Sequence, residues 1–235
     1  SAYGSKMLAC PCTVFAPKGT DESKLSGIRS RGAQLVLEGN DCLDSELRAR
    51  QHAEENGLTY ISPYNDIEVA AGQGSLGVEL GLQVPDLERV YVAVGGGGLI
   101  AGIGAHLKSL SEGTEVVGCC PELSDVMARS VPEGRIVDMP FVPTLSDGTA
   151  GSLEEDCITL PLCTRYVDRF ELVSEEEIAD SVRWVLDNHR MLIEGAAGVA
   201  VAVARRELKQ DDSVRTAVVL CGSNISADKL RTILN

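Results

Sequence analysis

Basic residues are scarce in this sequence: 21 Lys and Arg stand against 35 Asp and Glu, a formal net charge of −14. That excess of carboxylates repels phosphate backbones and argues against nucleic acid as a partner. Histidine is also scarce, with three residues, and the eight cysteines include no CxxC pair. Neither a zinc-ligand spacing nor a disulfide framework is present, so the thiols read as reduced and no metal site is expected. Aromatics make up 4%. No apolar run is long enough to cross a bilayer, and the opening Ser1-Ala2-Tyr3-Gly4-Ser5-Lys6-Met7 has no basic-then-apolar leader pattern. A soluble cytoplasmic protein is the expectation. What remains is ordinary for a globular chain, with 44% hydrophobic residues and 24% charged ones over 235 residues, enough to bury a real core.

Short β-branched runs alternate with amphipathic stretches, the pattern of a parallel α/β protein. Strands are predicted at Cys12–Ala16, Gln34–Leu37, Thr59–Ile61, Arg89–Val94, Glu115–Cys119 and Thr216–Leu220. Val90-Tyr91-Val92-Ala93-Val94 is apolar throughout, as in a strand covered on both faces. Helices are predicted over Asp21–Arg31 with Thr20 as cap, Leu43–Asn56 ending at Gly57, Ile100–Leu110, Glu175–Arg190 and Ala196–Lys209. Ser174 followed by Glu177 has capping-box spacing. The acidic runs Glu154-Glu155-Asp156 and Glu175-Glu176-Glu177 read as a loop and a solvated helix start. A domain change is expected near Ser62–Asp66.

The most informative local feature is Val94-Gly95-Gly96-Gly97-Gly98-Leu99, between a strong strand and a helix. Glycine permits tight turns and close approach to an anion. Successive N–H groups and the positive end of the next helix then favour phosphate. Gly96, Gly98 and Ala101 also fit the permissive GxGxxG/A pattern, and Glu122 lies beyond the next strand where a ribose-binding acid would stand. A nucleotide-binding dehydrogenase is therefore an open reading of the loop taken alone.

The wider sequence carries a resemblance. Tyr60-Ile61-Ser62-Pro63-Tyr64-Asn65-Asp66, Ala71-Gly72-Gln73-Gly74-Ser75-Leu76-Gly77 and the glycine loop occur in order. Ser146-Asp147-Gly148-Thr149-Ala150, Leu192-Ile193-Glu194-Gly195-Ala196-Ala197-Gly198 and Leu220-Cys221-Gly222-Ser223-Asn224 follow. Over essentially its whole length the chain resembles the fold-type-II, pyridoxal-phosphate (PLP)-dependent threonine/serine dehydratases. The resemblance implies a tryptophan-synthase-β-like α/β fold. Residues 1–62 would be a remnant of the small domain and 63–235 the large PLP-binding domain. It further implies that Gly95, Gly96, Gly97, Gly98 and Leu99 grip the PLP phosphate and that Cys221 faces the pyridine nitrogen. Glu194 would handle a proton near the cofactor or cap a helix. Asp147 and Thr149 would shape a loop beside the site. His52, His106 and His189 match no catalytic position. Cys120 and Val126 stand where some family members hold a divalent cation through acidic residues, which again leaves no metal site.

The family's chemistry needs a lysine that holds PLP covalently and moves the Cα proton. Neither the Ser-Phe-Lys-type motif that carries it nor the Ser-x-Gly-Asn-His-type loop that holds the substrate carboxylate is found in this sequence. Lys6 aligns with an ordinary helix lysine. The expectation is a fold incomplete at its N-terminus and a chain that turns over weakly or not at all by itself. It would be an oligomer, or would be completed by a separate polypeptide, with a small amino acid as the family's substrate. A non-catalytic remnant binding PLP or phosphate noncovalently is the alternative.

Overall fold

A computed structural model describes residues 1–211 and 213–234, which divide into two compact units, Ser1–Ser62 and Pro63–Asn235. The first unit contains α1 (Ala2–Met7), β1 (Thr13–Ala16), α2 (Glu22–Arg29), β2 (Gln34–Leu37) and α3 (Cys42–Asn56), with β1 and β2 paired in parallel. Helix α2 is capped by Asp21, whose carboxylate accepts the Ser23 N–H at 2.8 Å, and not by Thr20 as the sequence suggested. Helix α3 ends on Gly57 at φ 63°, a left-handed cap that glycine reaches without steric cost. The predicted strand Thr59–Ile61 is irregular backbone and belongs to neither sheet.

The second unit runs α4 (Ile67–Gln83), β3 (Arg89–Ala93), α5 (Gly98–Leu110), β4 (Glu115–Pro121), α6 (Val126–Glu133), α7 (Thr159–Tyr166), β5 (Arg169–Val173), α8 (Glu175–His189), α9 (Gly195–Leu208), β6 (Thr216–Val218) and α10 (Ala227–Leu234). Its four strands are parallel in the order β5-β4-β3-β6. Alternate side chains of β3 enter opposite cores. Val90, Val92 and Val94 pack with Ile100 and Ile103 of α5, while Tyr91 packs with Val199 and Val203 of α9. The sheet is thus covered on both faces, which is why its strands read as unbroken apolar runs.

Five elements escaped the sequence reading, α4, α6, α7, β5 and α10, and two of them show the physical reason. Helix α4 contains Gly72, Gly74, Gly77 and Gly81, which lower helix propensity, but tertiary contact outweighs that cost. A Cβ on Gly102 of α5 would stand 2.2 Å from the Ala70 carbonyl, so these two helices touch backbone to backbone. Strand β5 is an edge strand that begins with Arg169 and carries Glu171, so its apolar signal is diluted. Its charges are used: Arg169 joins Glu115 at 2.7 Å and Glu207 at 2.7 Å, and Glu207 accepts the buried Tyr91 hydroxyl at 2.6 Å. The Ser174 capping box forms as read, with Ser174 accepting the Glu177 N–H at 3.2 Å and Glu177 accepting the Ser174 N–H at 2.9 Å. Among the described residues, no helix is long and apolar enough to cross a membrane.

Candidate cofactor site at the carboxyl ends of β3 and β6

The chain leaves β3 toward β4 on one side, whereas β6 returns to pair on the other. The strand order therefore switches direction at β3, and in an open parallel sheet that leaves a crevice beyond the strands' carboxyl ends. Both glycine-bearing segments singled out in the sequence lie there. Gly95–Gly98 follows β3, and Cys221-Gly222 follows β6.

The glycine loop has a specific geometry. Gly97 occupies the N-cap position of α5 at φ 81°, a left-handed conformation. The first backbone donor of the helix to find a partner is Ala101, which bonds the Gly97 carbonyl at 3.0 Å. Among the described residues, the N–H groups of Gly95, Gly96, Gly97, Gly98, Leu99 and Ile100 donate to no protein acceptor. Buried or half-buried donors are normally satisfied. Six in succession at the positive end of a 13-residue helix could hold an anion.

Across the crevice, Glu194 precedes α9 at its N-cap position but makes no side-chain cap. Its carboxylate instead accepts the Asn224 N–H at 2.9 Å, and its own N–H bonds the Gly222 carbonyl at 3.0 Å. Of the two sequence readings of Glu194, helix capping is thus ruled out. A Cβ on Gly222 would lie 2.4 Å from Glu194 Oε1, and one on Gly148 would lie 3.2 Å from it. The carboxylate thus lies against both glycines. Gly148 belongs to the turn Ser146–Thr149, closed by the Thr149 N–H on the Ser146 carbonyl at 3.0 Å and by a 2.6 Å contact between the two hydroxyls. Thr149 reaches back to the glycine loop, its backbone 2.9 Å from where a Gly95 Cβ would be. An unbroken series of contacts thus links the glycine loop, this turn, Glu194 and the Cys221-Gly222 segment.

Cys221 is exposed as a residue, yet its thiol is pushed up to about 11, first by desolvation and then by the Glu194 carboxylate. It is a neutral thiol at physiological pH. The other thiols of the crevice lie beneath the loop. Cys163 and Cys120 are buried, and desolvation pushes Cys163 up to about 12. Asp147 faces outward to Lys229, 2.7 Å away. The three histidines lie in α3, α5 and α8. Among the described residues, no group of three or more His, Cys, Asp or Glu is placed to hold a metal ion. Tyr64 and Cys163, which the sequence reading assigned no role, both press on the glycine loop.

A doubly covered parallel sheet with unbonded backbone donors at its switch point is the α/β class whose crevice could take an anionic ligand, and comparison with known proteins narrows that class. Residues 1–222 match the pyridoxal-phosphate-dependent enzymes, and the chain belongs to that family. It is 36% identical over 234 residues to an L-threonine ammonia-lyase of Thermotoga maritima, covering 100% of this chain and 58% of that protein. It is 34% identical to the L-threonine ammonia-lyase of Geobacter sulfurreducens, with 99% and 58% covered. The processed form of threonine deaminase isoform 2 from Solanum lycopersicum superposes with a TM-score of 0.90 at 30% identity, covering 99% of this chain and 64% of that one. Maize serine racemase superposes at 0.88 with 25% identity, covering 99% and 72%. The chain spans little more than half the length of these curated ammonia-lyases. The fold class expected from the sequence, a fold-type-II α/β protein with parallel sheets, is the one found. Family membership removes the support for the dehydrogenase reading of Gly96, Gly98, Ala101 and Glu122.

Proposed function

We propose that this chain is the PLP-binding body of an ammonia-lyase acting on hydroxy amino acids, of the threonine/serine dehydratase kind. The carrying observation is the run of six unbonded N–H groups from Gly95 to Ile100, which suits a phosphate ester. At the other end of the crevice, Cys221 offers a neutral thiol, suited to a pyridine nitrogen that stays unprotonated. The residues present therefore fit the cofactor. Bound PLP would supply an electron sink for bond cleavage at the substrate's α- and β-carbons.

The chain's own residues would act around that chemistry. Gly95, Gly96, Gly97, Gly98 and Leu99 hold the phosphate through backbone donors, without a cationic side chain. Cys221 holds the ring's orientation. Glu194 is fixed by the Asn224 N–H and by Gly222, and would be the carboxylate available to handle a proton near the bound cofactor. Of the lysines of the second unit, Lys229 pairs with Asp147 and Lys108 with Asp168. With the family's lysine motif absent from these residues, turnover by them alone is expected to be weak.

The test is to load the purified chain with PLP, desalt it, record the visible spectrum and assay 2-oxo acid release from threonine and serine. Retained PLP absorbance as the free aldehyde, with little oxo acid formed, is the expected result. Absence of retained cofactor would refute the reading, and rapid oxo-acid release would refute the assignment of weak turnover. The missing lysine motif also favours a second reading, a noncatalytic PLP- or phosphate-binding partner. Restoration of turnover by a lysine-bearing polypeptide would separate the two. Self-association belongs to the same proposal and is measured by light scattering.

A further inference from the structure

Four consecutive glycines pose a physical problem. Such a segment has the most backbone freedom to lose, so an anion cradle built from it must be held in shape by something else. The surroundings of each Cα identify the support. A Cβ on Gly95 would meet the Thr149 backbone at 2.9 Å, and one on Gly97 would meet Cys163 Sγ at 2.8 Å. On Gly96 it would fall 2.2 Å from Tyr64 Cγ, and on Gly98 3.2 Å from Tyr64 Cα. One residue thus closes two of the four positions.

We infer that Tyr64 is the positioning residue of the phosphate cradle. The inference rests on the cofactor site proposed above. Tyr64 is 6% exposed, and its phenol oxygen accepts the Glu154 N–H at 2.9 Å. Its neighbour Asn65 accepts the Ile158 N–H at 2.9 Å through its side-chain carbonyl. Ile158 leads into α7, which carries Cys163 to the far side of the loop under Gly97. Tyr64 and Asn65 therefore join the glycine loop to the segment that supports it from the other side. The sequence reading took the glycines as clearing a path for an anion. At Gly96 and Gly98 it is the approach of Tyr64 that excludes a side chain. Tyr64 touches no reacting atom and acts through the loop. Preorganised donors bind more tightly because the ordering cost is met before the ligand arrives.

The experiment compares PLP with pyridoxal, which lacks the phosphate, by equilibrium titration of the whole chain. The quantity read is the ratio of their dissociation constants. Wild type is expected to prefer PLP strongly. Tyr64→Phe keeps the ring against Gly96 and is expected to hold the ratio within about twofold, while Tyr64→Ala lowers it by about tenfold or more, as loss of charge-assisted contacts would. Pyridoxal affinity should stay level, a pattern that general loosening of the fold would not produce. Should Tyr64→Ala not fold, Tyr64→Leu keeps the apolar volume, removes the flat ring and gives the same comparison. An unchanged ratio in the folded variant, with wild type preferring PLP, overturns the role of Tyr64 alone. A wild-type chain without preference for PLP overturns both this inference and the cofactor reading.

Discussion

Replacing Gly97 by alanine tests the geometry of the glycine loop most directly, because its cost has two separable sources. Gly97 sits at φ 81°, and an L-residue held in the left-handed region costs about 1–2 kcal/mol. The new methyl would also stand 2.8 Å from Cys163 Sγ, 3.0 Å from Met127 Cε and 3.2 Å from Thr159 Cβ. Crowding a packed interior in this way costs about 1–3 kcal/mol. Gly97→Ala should therefore destabilise the second unit by about 2–5 kcal/mol, a large part of a typical domain's margin. Cys163→Ala removes the nearest obstacle without touching the backbone term. In a double-mutant cycle the part of the crowding share due to Cys163 should disappear, while the part due to Met127 and Thr159 and the conformational share should remain. Urea unfolding followed through Trp184, the sole tryptophan of the sequence and a residue of α8, reads this unit specifically. A cost for Gly97→Ala below about 1 kcal/mol, with no coupling to Cys163, would mean that the loop does not rest on α7 in this conformation.

Three further outcomes are expected. Alkylation of Cys221 by iodoacetamide, read by mass spectrometry against pH, should rise with a midpoint about 11, and Glu194→Gln should lower that midpoint because a nearby negative charge is removed; an unmoved midpoint would separate the two residues. At the opposite end of the sheet, desolvation raises the Glu115 and Glu207 carboxyls, but hydrogen bonds from Arg169, with Arg89 or Tyr91, outweigh it and leave both below their ordinary value of 4.5. Their folded pKa lies beneath the unfolded one, so their stabilisation is complete above about pH 4.5 and is lost as pH falls through the folded value. Glu207→Gln should accordingly flatten the acid-unfolding curve in that window, and a curve of unchanged slope would count against the network. Ser174→Ala removes the cap of α8 and should cost about 1 kcal/mol in urea unfolding; an effect near zero would show that Glu177 alone secures the helix start.

Retention of PLP bears on the family reading in a way that stability cannot. The first two relatives are named as L-threonine ammonia-lyases, and this chain spans 58% of the length of each. Under the reading proposed above, its glycine loop and Cys221 segment would meet a phosphate ester and a pyridine ring. What they do not contain is the lysine motif, so cofactor retention and turnover are expected to part company in this chain.

Much of this protein was already determined locally. The apolar run Val90–Val94 reads as a strand covered on both faces, and four glycines ahead of a helix read as a tight turn, because both follow from backbone sterics and neighbouring residues. The Ser174–Glu177 box and the Gly57 cap are likewise decided within four residues. Tertiary structure decided the rest. Thr59–Ile61 has strand propensity but joins neither sheet, α4 is helical despite its glycines because α5 lies against its backbone, and β5 hides behind charges paired on other elements. Glu194 abandons the helix end it precedes because Asn224, 30 positions away in sequence, offers its N–H. Tyr64 looked like one residue of a motif until packing placed it against Gly96. Pairing, close approach and burial are contacts between distant segments, and no local pattern of residues specifies which distant segment arrives.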